Sequence, residues 1–144
     1  MAKQYEVNQS TLRIARLTSW LARRGVGRSQ VLTTVGRKSG EPRRVPVSPI
    51  EVDGVEYIVS PYGEVGWVQN ARANPVASLR HGTTQREVRL DEVTGPAGAP
   101  VVASYHAREG YARRYMDVPD DPTLDDFVRA SGQFPVFTVA QTTP

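Results

Sequence analysis

The chain is 144 residues long, the usual size of one domain, and its 39% hydrophobic and 23% charged residues are globular, not disordered, in composition. It has no cysteine and two histidines, which excludes disulfides, thiolate nucleophiles, iron–sulfur clusters and cysteine zinc sites, and leaves no metal site expected. The net charge of +3 is uneven: residues 1–50 hold ten Lys/Arg against two acids, residues 51–144 eight against thirteen, so the first third is expected to meet an anionic partner.

Residues 10–24 (STLRIARLTSWLARR) have the spacing of a helix, ended by Gly25 and Gly27. Ile14, Leu17 and Leu21 form one stripe; Arg13, Arg16, Arg23, Arg24 and Trp20 gather on the other side. Arginine stems can cover Trp20 in solvent, or this face can make peripheral contact with an anionic membrane surface. The chain thus divides into a basic amphipathic helix over 1–27 and one domain over 28–144. No signal-peptide run and no spanning segment is visible, so the expected location is cytoplasmic, with the inner membrane face as the peripheral variant.

Strand-like runs follow, 31–35 leading through GRKSGEP into 44–50. Asp53-Gly54 is a two-residue hairpin signal feeding 55–60, and a short helix over 67–73 is stopped by Asn74-Pro75. A second hairpin, 76–80 and 86–93, turns at His81-Gly82; a helix is expected over 101–115. Thr123 and Asp126 have capping-box spacing before another helix, and 134–140 alternates as a closing strand. About six short strands joined by hairpins imply an α+β protein, a small antiparallel barrel with helices packed outside. The glycine-rich dinucleotide fingerprint and the Walker loop are both missing.

The stretch 33–44 (TTVGRKSGEPRR) puts Arg37, Lys38, Arg43 and Arg44, the hydroxyl of Ser39 and two glycines at a hairpin tip. Turn amides, a hydroxyl and guanidinium forks make a phosphate clamp; the alternative is a merely solvated basic tip. Nucleic-acid binding is not expected, because this basic region lacks interleaved aromatics. The stretch 32–43 (LTTVGRKSGEPR) resembles the signature of the deazaflavin-dependent nitroreductase family, split β-barrel oxidoreductases that use coenzyme F420. The resemblance continues through 57–63 (YIVSPYG), 67–75 (WVQNARANP) and 134–139 (FPVFTV).

The resemblance implies a hydride transfer from reduced F420 to a small organic acceptor: a quinone, an enone or other activated alkene, or a nitro compound. It implies that Arg37, Lys38 and Ser39 meet the cofactor phosphate, with Arg43 and Arg44 reaching it or the oligoglutamate tail. Val45, Pro46, Val47 and Ser48 would line the ribityl side. Ile58, Val59, Ser60 and Pro61 would offer backbone groups to the ring edge, and Gly66, Trp67, Val68, Gln69 and Asn70 would close the other side. Trp67 has a second reading as a core aromatic.

The chain departs from that pattern on the substrate side. Family members best known for reducing nitro compounds carry tyrosines where residues 120–126 (DDPTLDD) have none, and some have a lysine where Pro61 stands. Tyr62, Tyr111, Tyr115 and Thr123 remain as candidate proton donors; His81 and His106 are read as non-catalytic, His81 as solvent-exposed. The acids from Asp117 to Asp126 lack the spacing and central glycine of an EF-hand, so they are read as a solvated loop. Two alternatives stay open: a non-catalytic F420 carrier, and an FMN-binding enzyme on a related barrel. The assembly is expected to be a monomer or a homodimer.

Overall fold

The computed structural model describes residues 29–109 and 113–142. Its strands are β1 (Gln30–Val35), β2 (Pro42–Val47), β3 (Ile50–Val52), β4 (Val55–Val59), β5 (Val76–His81), β6 (Thr84–Val93) and β7 (Val136–Gln141). The helices are α1 (Gly66–Ala73), α2 (Ala99–Arg108) and α3 (Leu124–Arg129), with a 3-10 turn at Gly95–Gly98 before α2. All strands join one antiparallel sheet in the order β2-β1-β5-β6-β7-β4-β3.

Chain connectivity shows why this sheet curls. β2 and β3 are its two edges, yet only Ser48 and Pro49 separate them in sequence. Three Cα–Cα steps span at most about 11 Å, so the edges must come together. β2 and β3 are one run that bends at Pro49, pairing first with β1 and then with β4. The α+β half-barrel is therefore as expected, with seven strands instead of about six. The expected run 44–50 is divided because Pro49 has no N–H for a ladder.

Period-two alternation gives the sheet two buried faces. Ile58 and Phe137 join Leu32, Leu79, Val88 and Leu90 inside the barrel, while their neighbours Val59 and Val136 join Val102, Tyr105 and Phe127 under the helices outside. Leu32, Ile58, Val68 and Val88 are fully buried, each contributing about 1.5–3 kcal/mol relative to exposure. α1 plugs one end of the barrel through Trp67, Val68 and Ala71, with Trp67 packed at 5.4 Å on Phe137.

Local chemistry accounts for the remaining turns. Asp53 and Gly54 both have positive φ (51° and 81°), which the tight two-residue hairpin requires. The second hairpin turns one residue later than expected, at Gly82-Thr83, because His81 still pairs with Thr84. His81 is accordingly half-buried, where exposure was expected. α2 ends at Arg108 and not near Tyr115: Glu109 leaves the helical region and the Arg113 guanidinium takes the carbonyls of His106 and Ala107. At α3 both halves of the capping box form between Thr123 and Asp126. The helix expected over 10–24, with its membrane reading, lies outside the described residues.

Candidate cofactor and active site

The β1–β2 turn is built around Gly36. Its N–H donates to Glu41 O at 2.8 Å, and the Gly40 N–H returns to Gly36 O at 2.8 Å with Gly40 at φ 72°. A Cβ on Gly36 would lie 2.8 Å from Ser39 Oγ and 3.0 Å from Glu41 O, so only glycine fits without a shift. Ser39 Oγ accepts from the Glu41 amide (3.1 Å) and from Arg43 (3.4 Å). The Lys38 and Ser39 amides take no partner among the described residues, and the Ser39 hydroxyl hydrogen is uncommitted.

The charges of this turn differ from those elsewhere. Arg72, Arg86, Arg89 and Arg129 are paired with carboxylates, and Arg80, Arg108 and Arg113 bond carbonyl oxygens. Among the described residues, Arg37, Lys38, Arg43 and Arg44 pair with no carboxylate. Arg43 lies on the inner-face phase of β2 and folds over the turn, whereas Arg44 is on the outer-face phase.

α1 reaches the turn through Asn70. Asn70 Oδ1 accepts from the Arg37 amide (3.2 Å) and from its Nη1 (2.9 Å), and Nδ2 donates to Thr34 Oγ1 (3.2 Å). Asn70 and Thr34 are both buried, a polar pair inside an apolar barrel whose bonding is completed by Arg37.

The barrel is split below the turn. The Gly36–Glu41 bond sets the ladder phase, so strict alternation points the backbone groups of Pro42, Arg44 and Pro46 away from β1. Two of these three are prolines, which protects the free edge. On the opposite lip, Ser60 N–H donates to Pro135 O (2.8 Å), so the groups of Val59 face away from β7. β3 reaches no further than Tyr57 on that side, which leaves Val59 at a free edge. Of the four residues expected at the ring edge, Val59 has this position; the Ser60 amide is spent, Pro61 has none and Ile58 faces β7. Val45 and Val47 line the inner side of β2, Pro46 its outer side, and Ser48 sits at the bend. In α1, Trp67 and Val68 are core residues, Gly66 is exposed, and Gln69 bonds the Glu64 carbonyl at 3.1 Å.

Beyond Val59 the chain turns sharply, fixed by Ser60 Oγ donating to Gly63 O at 2.6 Å. Tyr62 in this turn meets Tyr115 edge-on at 5.4 Å. Behind them Tyr105 is buried, and that burial, with the Glu109 carboxylate and Tyr62 nearby, pushes its phenol well above the usual range. Thr123 is elsewhere employed: its hydroxyl lies 3.1 Å from Asp126 Oδ2 as part of the helix cap. Tyr111 lies outside the described residues. Tyr105 was not among the residues singled out in the sequence, because no local signal marks it within the helix expected over 101–115.

A cavity of about 240 Å³ lies on the outer face of the sheet, beside α2 and α3. Val102, Phe127, Phe134 and Val136 form its apolar walls, and Glu64, Arg72 and Glu92 its rim. Arg72 is held by both carboxylates, bidentate to Glu92 at 2.8 Å and at 3.1 Å to Glu64. Those bonds, first to Glu92 and then to Glu64, raise its already high pKa further, so Arg72 stays charged. Pro135, whose carbonyl holds Ser60, also lines this cavity. Among the described residues no cluster of metal-ligating side chains occurs, and no helix is long and apolar enough to cross a membrane.

The curled antiparallel half-barrel, with its cationic turn at one lip, has the split-barrel fold. The model of the F420H(2)-dependent quinone reductase family matches residues 13–119, and this chain belongs to that family. It is an F420-dependent oxidoreductase. Solved structures share the fold at low identity. An F420-H2 dependent reductase is 22% identical over 78% of this chain and 93% of its own, with a TM-score of 0.50. A domain-swapped dimer is 22% identical over 90% and 96%, at 0.53. A putative pyridoxamine 5'-phosphate oxidase from Listeria innocua is 14% identical over 81% and 86%, at 0.54.

The residues present fit a coenzyme with a phosphate stem and anionic tail. Two amides and a hydroxyl hydrogen without partners among the described residues, with four cations that pair there with no carboxylate, are the donor set a polyanion needs.

Proposed function

We propose that this oxidoreductase passes a hydride to a neutral, carbonyl-bearing acceptor of the quinone or enone class. Its cofactor would lie along the split between β2 and β4, with its phosphate at the turn. The observation that carries this reading is the set of cations at 37–44 without carboxylate partners among the described residues, where Arg72, Arg86, Arg89 and Arg129 are each paired with one. When bound, reduced F420 supplies the hydride.

The protein's own residues bind, orient and handle the proton. Arg37, Lys38, Ser39 and Arg43 hold phosphate, and Arg44, on the outer face of β2, reaches for the tail. Val45, Val47 and Ser48 flank the stem, while the Val59 backbone offers a donor and an acceptor to the ring edge. Gly66, Trp67 and Val68 of α1 back the site with apolar surface that excludes water. Tyr62 holds the proton delivered to the acceptor oxygen, positioned by the Ser60–Gly63 bond and the Tyr115 ring. The acceptor lies over the cofactor ring within reach of Tyr62 and extends toward the neighbouring apolar cavity, whose Glu64 and Glu92 beside a single Arg72 disfavour an anionic one.

Oxidation of reduced F420, followed at the visible band of the oxidised cofactor, tests this with a neutral naphthoquinone, an enone and a nitroaromatic. Fast turnover of the quinone or enone is expected. Tight F420 binding with no turnover of any acceptor would favour a carrier, and tighter binding of FMN than of F420 would overturn the cofactor assignment. Tyr62→Phe should lower turnover while leaving F420 affinity in place. For the assembly we infer a homodimer, supported by the similar domain-swapped structure; a single species of monomer mass at all concentrations in sedimentation would contradict it.

A further inference from the structure

Asn70 is a buried amide whose bonding is nearly saturated by the protein itself. Both lone pairs of Oδ1 are taken by Arg37, one through its amide and one through its guanidinium, and one Nδ2 hydrogen goes to Thr34. The two Arg37 groups that meet Asn70, its amide and its guanidinium, are both donors, so the oxygen must face them, and Thr34 Oγ1 then receives the NH₂ group. The amide is fixed at both ends, one anchor on β1 and the other on the turn.

We propose that Asn70 is a positioning residue for cofactor binding and not itself a ligand. It orients the Arg37 guanidinium before any anion arrives. Four observations support this. Asn70 is 4% exposed, so it has little surface to present to a ligand. Its bond to Arg37 Nη1 is shorter, at 2.9 Å, than its bond to the Arg37 amide, at 3.2 Å. Arg37 is exposed and has no carboxylate to hold it, so this amide is its one fixed point among the described residues. Neutral Asn also restrains the guanidinium without cancelling its charge, whereas a carboxylate there would compete with the incoming phosphate. Preorganisation of this kind lowers the ordering cost of a long, rotamer-rich side chain on binding.

The inference rests on the reading of the turn as the phosphate clamp, and a double-mutant cycle separates the two. F420 affinity is measured by fluorescence titration for wild type, Arg37→Ala, Asn70→Ala and the double variant, with thermal stability measured on each. The expectation is that Arg37→Ala and Asn70→Ala each weaken binding by about tenfold, the scale of one charge-assisted bond, and that Asn70→Ala changes affinity less than about twofold once Arg37 is absent. The stability loss of Asn70→Ala should persist in the Arg37→Ala background, because Thr34 and the residue-37 amide lose their partner either way. Should Asn70→Ala fail to fold, Thr34→Val, which frees one end of the amide, replaces it in the same cycle. Unchanged affinity in Arg37→Ala would overturn the clamp and this inference together. Normal affinity in Asn70→Ala, or additive losses in the double variant, would overturn the positioning role alone.

Discussion

Glu56 and Arg86 stand on strands that do not touch, yet their side chains meet in a bidentate pair at 2.6 and 2.7 Å. β7 separates β4 from β6 in the sheet order, so the pair bridges the inside of the curl. Glu56 precedes Ile58 by two residues and Arg86 precedes Val88 by two, which puts both on the inner face. The pair closes the barrel end opposite α1. It also raises the pKa of Arg86, chiefly through the hydrogen bonds to Glu56.

Glu56→Gln would leave a half-buried guanidinium with a weaker partner. A loss of about 1–2 kcal/mol is expected, between the values for exposed and buried pairs. Chemical denaturation reads this loss, and F420 affinity should be unchanged because the clamp is at the other end.

Gly36→Ala places a methyl 2.8 Å from Ser39 Oγ and 3.0 Å from a backbone oxygen. The turn must open, and Ser39 with the Lys38 and Ser39 amides would move. F420 affinity should fall by about tenfold, one charge-assisted contact's worth, and the melting temperature should change little, since the tip is outside both core clusters. Titration and a thermal melt on the same sample check both halves.

His106 is buried against Phe127 at 5.5 Å, with Arg113 close by. Burial first, and the Arg113 charge second, lower its pKa from the ordinary 6.5. The folded state then binds fewer protons than the unfolded state, so the stabilisation is fully present above the unfolded value. It is lost as pH falls from there through the depressed folded value. His106→Gln should therefore flatten the fall of melting temperature between about pH 7 and pH 5. An identical slope in the variant would contradict this.

Much of this fold was legible because its turns are set by backbone chemistry. Asp53-Gly54 demands positive φ, Thr123 and Asp126 demand a cap, and Asn74-Pro75 demands a stop; each appears at its place. The break at Ser48-Pro49 was not legible: a proline within an alternating run signals an edge, but not that two edges meet there. The extent of α2 was misjudged because apolar spacing continues past Glu109, while the actual stop depends on Arg113 folding back. In the site, the cations of the turn could be named from charge and spacing. What their charge leaves unsaid is pairing: Arg72 and Arg86 look identical to Arg37 in sequence and are neutralised only by tertiary neighbours.

Thr123→Ala removes half of a capping box whose Asp126 carboxyl is held below the usual range, first by the Thr123 amide and then by Arg129. About 1 kcal/mol of stability should be lost, and Thr123→Ser should restore it. A large, specific loss of turnover at full folding would return Thr123 to the candidate proton donors.

The central claim is that the turn at 36–44 grips the anionic stem of F420. Fluorescence titration of F420 into the Arg37→Ala/Lys38→Ala double variant, beside its thermal melt, tests it most directly. Binding weakened by about a hundredfold or more, as the loss of two charge-assisted contacts requires, with a nearly unchanged melt is the predicted result. Wild-type affinity in that variant would contradict the account.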